Sequence, residues 1–193
     1  MTQNRITWGG ATLAVLLIAG ILAGCGGGGS STTTATEAAT TQPSSGDAEV
    51  LDTVLSRQEA ASAAYAKVIP ALSPHLSHVA SYFRSQEQEH IDAVLKALRG
   101  LNSPAEPTPE PLDTSGLKSD RERLVFLYEV ESATIDEELS AISKLEASWP
   151  RSLLASTVAN QAQHLTLLRQ ALGTGPLASV PVPFENGTAP PPE

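Results

Sequence analysis

The residues of this chain able to hold a metal ion or move a proton fall at helical spacing. Glu87-Gln-Glu-His90 sets a carboxylate and an imidazole three residues apart, and Gln161-Ala-Gln-His164 repeats the pattern with an amide in place of the acid. On an α-helix, positions i and i+3 share a face, so each pair presents two donor atoms to one neighbour. Glu131 stands on a third segment among Leu124, Leu127, Tyr128 and Ile135. Gln58 holds the matching place on a fourth, among Leu51, Val54, Leu55 and Tyr65. A carboxylate on an otherwise apolar face is costly unless a cation or hydrogen-bond donor accompanies it. Two chemistries meet that need. Glu87, His90, Glu131 and His164 can bind one ion through mixed oxygen and nitrogen ligands. Alternatively, the histidines as imidazolium neutralise the carboxylates in a metal-free core. Gln58 and Gln161 add only neutral oxygens, which weakens the case for a second ion. Glu59 adjoins Gln58 but lies about 100° round the helix, and joins the centre only if that helix is rotated. Glu138 shares the face of Glu131 two turns on, while His75 and His78 read as solvated or core-edge residues.

The elements that position these groups follow from the period of the apolar residues. It predicts four helices: Asp47 to Ile69, from just after Pro70 and Pro74 to near Gly100, from about Ser119 to Ser148, and from Pro150 or just after it to Gly173. Prolines sit at helix starts and glycines at helix ends, as backbone chemistry favours. No stretch alternates like a strand, so the fold class is all-α. Short Pro-containing turns join the first helix to the second and the third to the fourth. The segment between the second and third, LNSPAEPTPEPLDTSGLK, is long and proline-rich. Helices of this size are about 35–45 Å long at 1.5 Å per residue, and a Pro-stiffened chain rising about 3.1 Å per residue crosses that distance. The expected arrangement is two antiparallel hairpins joined by a long crossover; a bundle with only short loops and a surface insertion is the alternative. Trp149 is expected as a packing anchor beside Pro150, and Tyr65 and Tyr128 as inward core residues.

Charge and the N-terminal segment bear on partners. Twelve Lys and Arg stand against 21 Asp and Glu, a formal net charge of −9. No basic stripe exists to grip nucleic acid or anionic lipid. Arg5 is the only charge before an apolar run, Ala11 to Ala23, too short for a comfortable bilayer span. That run ends in Leu22-Ala23-Gly24-Cys25, which resembles the bacterial lipobox at every position, and Cys25 is the only cysteine. The resemblance implies a signal peptide over 1–24, a lipidated (diacylglycerol- and palmitate-bearing) Cys25, and attachment to the extracytoplasmic face of the cell membrane. Residues 26–46 are Gly/Ser/Thr-rich, so 25–46 is expected to be a flexible tether. The stretch 174–193, carrying the sequon Asn186-Gly187-Thr188, is expected to be a Pro-rich disordered tail.

Over roughly 47–173 the chain resembles the ferritin-like superfamily, which includes ferritins, bacterioferritins and rubrerythrins, and in particular its small exported bacterial members. The resemblance implies a four-helix bundle in which the first and third helices each give one glutamate, and the second and fourth each give Glu-x-x-His, to two irons or manganeses. Glu87-x-x-His90 matches the second helix fully, and Glu131 takes the third-helix place. The fourth helix keeps His164 but has Gln161 for the glutamate. The first offers Gln58, with Tyr65 seven residues on, the family's spacing from ligand to tyrosine. The motif is thus partly degenerate. The sequence favours a membrane-anchored extracytoplasmic lipoprotein, non-catalytic and without an assigned catalytic residue, whose polar bundle centre acts as a structural or interaction module; iron or manganese is the only cofactor it suggests. The alternative is an iron- or manganese-binding or redox protein using Glu87, His90, Glu131 and His164. The membrane, reached through Cys25, is the expected partner; nucleic acid is not, and a protein partner or a homodimer stays open.

Overall fold

A computed structural model describes residues 45–175. The signal segment, Cys25, nearly all of the tether and all but two residues of the tail lie outside the described residues. The described residues form a four-helix bundle: α1 (Ser45–Val68), a 3-10 turn (Ile69–Ala71), α2 (Pro74–Gly100), α3 (Asp120–Lys144) and α4 (Ser148–Ala171). None of these helices is long and apolar enough to cross a membrane.

Each boundary has a local cause. Pro70 lacks an N–H and stops α1, while Pro74 starts α2 with its ring at the first helical position. Ser119 and Glu122 form a reciprocal capping box on α3: the Ser119 hydroxyl accepts from the Glu122 N–H at 3.2 Å, and the Glu122 carboxylate accepts from the Ser119 N–H at 2.7 Å. At the end of α4, Gly173 takes φ of 100°. Its N–H reaches the Gln170 carbonyl at 3.0 Å and that of Thr174 reaches Arg169 at 2.9 Å. Gly100, expected to play the same part for α2, is instead helical. Asn102, with φ of 54°, makes the left-handed turn two residues later, where an asparagine is tolerated because its short polar side chain bonds locally.

Two further expectations are corrected. The third helix ends at Lys144 rather than near Ser148, because Leu145 turns extended and the next two N–H groups are taken by a distant acid. The Asp47 carboxylate, 1% exposed, accepts from Glu146 N at 2.7 Å and from Ala147 N at 3.1 Å. This clasp joins the first turn of α1 to the α3–α4 turn, and it also explains why α4 begins two residues before Pro150. Trp149 is 37% exposed while Pro150 is buried; the proline, not the tryptophan, packs inward.

The interior is layered along the bundle. At one end late α1, early α2, early α3 and late α4 meet through Tyr65, Phe83, Leu127 and Leu168. At the other, Leu51, Val94, Ala141 and Leu154 represent the opposite halves of the same helices. Between these apolar layers lies a slab of buried polar side chains. The segment from 101 to 119 keeps close to α1: Glu106 N–H donates to Asp52 at 3.1 Å, Thr108 N–H donates to Ser56 Oγ at 2.8 Å, and Leu112 packs on the Ala61–Ala64–Val130 cluster.

Candidate metal centre

All four helices contribute to the polar slab, each from its buried stripe. Gln58 and Tyr65 come from α1, Glu87 and His90 from α2, Glu131 and Glu138 from α3, and Thr157, Gln161 and His164 from α4. Gln58, Glu87, Glu131, Glu138, Gln161 and His164 are at most 1% exposed. Glu59 is only half-buried and outside the slab, because one residue of helix rotates it off the face that carries Gln58. His75 and His78 are exposed.

Glu87, Glu131 and His164 converge: one ligand atom from each lies within 4.8 Å of the others. His164 Nδ1 is 3.1 Å from Glu131 Oε1 and 3.6 Å from Glu87 Oε1, and its Nε2 is 2.6 Å from Gln86 Oε1. The partners of both ring nitrogens are acceptors, so in the absence of a cation the ring is an imidazolium. Burial would lower the pKa of His164, but Glu131 and Glu87 outweigh it and push it up to about 9. Phe83 stacks on the same ring with centroids 4.2 Å apart. Tyr65 Oη donates to Glu131 Oε1 at 2.5 Å, and burial together with the Glu131 charge raises the phenol well above its ordinary value.

The two carboxylates differ in state. Burial works to raise both. At Glu87 the neighbouring His164 and His90 overcome it and hold the group below the usual carboxylate range. At Glu131 burial and the Glu87 charge prevail over His164 and Tyr65, and the pKa is raised. His90 sits at the rim, 9% exposed, with Nδ1 3.5 Å from Glu87 Oε1. That is close enough for charge interaction but long for a hydrogen bond. His90 therefore stands beside the triad through Glu87, not within it.

Unpartnered atoms give the centre its chemical character. Both oxygens of Glu87, Oε2 of Glu131 and the Oε1 atoms of Gln58 and Gln161 are buried without a hydrogen bond. Buried acceptors are normally satisfied. Five acceptor oxygens gathered in one slab have no hydrogen-bond donor, and a divalent cation is a group that would satisfy them. The residues fit such an ion: two carboxylates and an imidazole are a donor set for iron, manganese or zinc.

Two contributors had no role assigned to them from the sequence. Gln86 lies about 100° off the buried stripe of its helix, so nothing in the α2 period marks it. Glu138 is on the stripe, and its partners come from other helices. Its Oε1 accepts from Gln58 Nε2 at 2.7 Å and Gln161 Nε2 at 3.3 Å, and its Oε2 pairs with the Thr157 hydroxyl. Burial raises the Glu138 pKa to about 7 although Thr157 and Gln58 oppose it.

No protein-family model matches the sequence, and no curated protein is significantly similar to it. The fold does have solved counterparts. A crystal structure from Bacillus anthracis str. Ames, described as a ferritin like, diiron-carboxylate protein, superposes with a TM-score of 0.58 at 21% identity, over 66% of this chain and 95% of its own. A conserved hypothetical protein of Mycobacterium tuberculosis, rv2844, gives 0.61 at 18% identity, over 72% of this chain and 97% of its own. At these identities the likeness establishes the fold: a ferritin-like four-helix bundle.

Proposed function

We propose that this chain is a metal-binding ferritin-like protein that takes a divalent cation, iron or manganese, between Glu87, Glu131 and His164. One observation carries the reading: Glu87 and Glu131 keep buried oxygens without a hydrogen bond, and each has a ligand atom within 4.8 Å of one on the His164 imidazole. A purely structural polar core, which the sequence favoured, would supply hydrogen-bond donors to those atoms, as it does for Glu138. The Bacillus anthracis counterpart's description as a diiron-carboxylate protein supports the same chemistry.

Bound iron or manganese would supply one-electron redox change and Lewis acidity. The residues around the ligands have definable tasks. Gln86 Oε1 accepts from Nε2 of His164, which turns Nδ1 toward the carboxylates. Tyr65 fixes one oxygen of Glu131 and leaves the other free. Phe83 covers one face of the imidazole and keeps water from it. Outer partners of this kind typically change metal affinity ten- to a hundredfold when removed. Anaerobic titration calorimetry with Mn²⁺ and Fe²⁺ tests this: the wild type binds, His164→Ala does not, and Gln86→Leu binds about ten- to a hundredfold more weakly. A wild type that takes up no heat with either ion would remove the proposal.

The chain path belongs to the same reading: α1 with α2 and α3 with α4 as antiparallel hairpins, and 101–119 as the crossover between them. The layer memberships and the run of linker contacts along α1 support it. Deleting 104–111 is expected to lower the unfolding midpoint by several degrees, since the remaining chain would have to be drawn out almost fully to span a helix length; an unchanged midpoint would make the segment a surface insertion.

We further propose that the bundle is carried on the extracytoplasmic face of a membrane by lipid on Cys25, behind a cleaved signal of 24 residues and a Gly/Ser/Thr tether. The lipobox match and the solitary cysteine support this. Cys25→Ser should abolish incorporation of labelled palmitate; undiminished label in that variant would end the lipoprotein reading.

A further inference from the structure

The polar slab has two halves of opposite character. Around Glu87 and Glu131, acceptors outnumber donors and three carboxylate oxygens are unsatisfied. Around Glu138, seven residues along α3 from Glu131, the carboxylate is saturated by Gln58 from α1 and by Gln161 and Thr157 from α4. The Thr157 oxygen also lies 2.8 Å from the Leu154 carbonyl, so the cluster is tied into the α4 backbone. Both amides spend their NH₂ groups on Glu138 and are left with only their carbonyl oxygens.

A second cation in this slab would have few ligands. It could share Glu87 with the first and use His90, but the remaining groups in reach are the neutral oxygens of Gln58 and Gln161. Two dications would then face two carboxylates in a buried site, leaving charge that the low-dielectric surroundings make costly. Recruiting Glu138 as a third would break its three hydrogen bonds and leave the amide donors unpaired, at roughly 1–3 kcal/mol for each stranded group. The amide hydrogens that now hold Glu138 also repel a cation approaching from their side.

Resting on the metal-binding reading above, we infer that Glu138, clamped by Gln58, Gln161 and Thr157, limits the centre to a single cation by filling the second half of the slab with an internal hydrogen-bond network. These residues set the number of ions, and Glu87, Glu131 and His164 bind the one that enters. The pairing also explains why amides stand at both 58 and 161: a glutamate at either place would meet Glu138 as a like charge at hydrogen-bond distance.

The test loads the full-length protein, in detergent, with excess Mn²⁺, removes unbound ion by gel filtration, and measures manganese per chain together with its electron paramagnetic resonance. The wild type is expected to retain about one Mn²⁺ and to show the six-line signal of an isolated ion. The triple variant Gln58→Glu/Gln161→Glu/Glu138→Ala, which exchanges the amides for carboxylates and opens the space, should retain about two, with the broadened spectrum of a coupled pair. Should the triple variant not fold, Gln161→Glu alone serves, and it should admit a second, weaker ion. A wild type holding a coupled pair would overturn this inference and leave the metal reading intact. A wild type holding none would bring down both. Folded variants that stay at one ion would show that these residues do not set the count.

Discussion

Replacing Glu87 with Gln is expected to abolish the thermal stabilisation that Mn²⁺ or Fe²⁺ confers on the wild-type bundle. An ion that binds only the folded chain adds about 2.7 kcal/mol when its concentration is a hundred times the dissociation constant. For a domain of this size that is roughly 5–15 °C in the unfolding midpoint. Glu87 is the ligand with the most to give, since both of its oxygens are buried and without a hydrogen bond. The amide keeps the shape but loses the charge. Without metal the substitution should matter far less, because Glu131 remains to pair with His164 at 3.1 Å, and a buried charge is removed along with its desolvation cost. Differential scanning calorimetry of both proteins, with ion and with chelator, separates the effects. An equal rise in the variant would mean that the ion binds elsewhere.

The metal-free bundle should be most stable in mildly acidic solution and should lose stability steadily toward pH 9. Glu138 has a folded pKa of about 7 against an ordinary 4.5, and His164 about 9 against 6.5. Both values are raised by folding, so between roughly pH 4.5 and 9 the folded chain binds more protons than the unfolded one. Stability must fall as pH rises through that window. The contribution of His164 is complete below 6.5 and is lost as pH climbs through about 9, and that of Glu138 is lost as pH climbs through about 7. Glu87 sets the acid limit: its depressed pKa gives stability present above 4.5 and lost as pH falls through the folded value. A tenfold difference in proton affinity between the folded and unfolded chain is worth about 1.4 kcal/mol, so the decline from pH 5 to 9 is on the order of several kcal/mol. Urea midpoints measured with chelator at pH 5, 7 and 9 should decrease in that order, and a flat or rising series would contradict the assigned protonation states. Saturating Mn²⁺ should reverse the slope over its upper part, because the ion competes with the proton on His164 Nδ1 and wins as pH rises.

The four helices were legible because each carries one continuous apolar stripe, and Glu87, Glu131, His164, Gln58 and Gln161 were legible because each interrupts such a stripe. The choice of Gln58 over Glu59 follows from helical period alone. What could not be read is held between helices. Asp47 looks like an ordinary first-turn acid; that it ends α3 depends on a turn a hundred residues away. Glu138 was visible on the right face, yet whether it binds a metal or fills a hole depends on Gln58 and Thr157 reaching it. His90 reads as the equal of His164 by motif, but one imidazole meets two carboxylates and the other only the rim of Glu87. Gln86 is invisible to any stripe argument, since its partner stands on another helix.

The most direct measurement of the central claim is an anomalous-diffraction crystal structure of the protein soaked in Mn²⁺, recorded with X-rays on the high-energy side of the manganese absorption edge. A strong anomalous peak is expected between Glu87, Glu131 and His164, with the His164 ring still bonded to Gln86 through Nε2. Crystals that take up manganese only at surface carboxylates, with the three side chains placed as they are here, would contradict it.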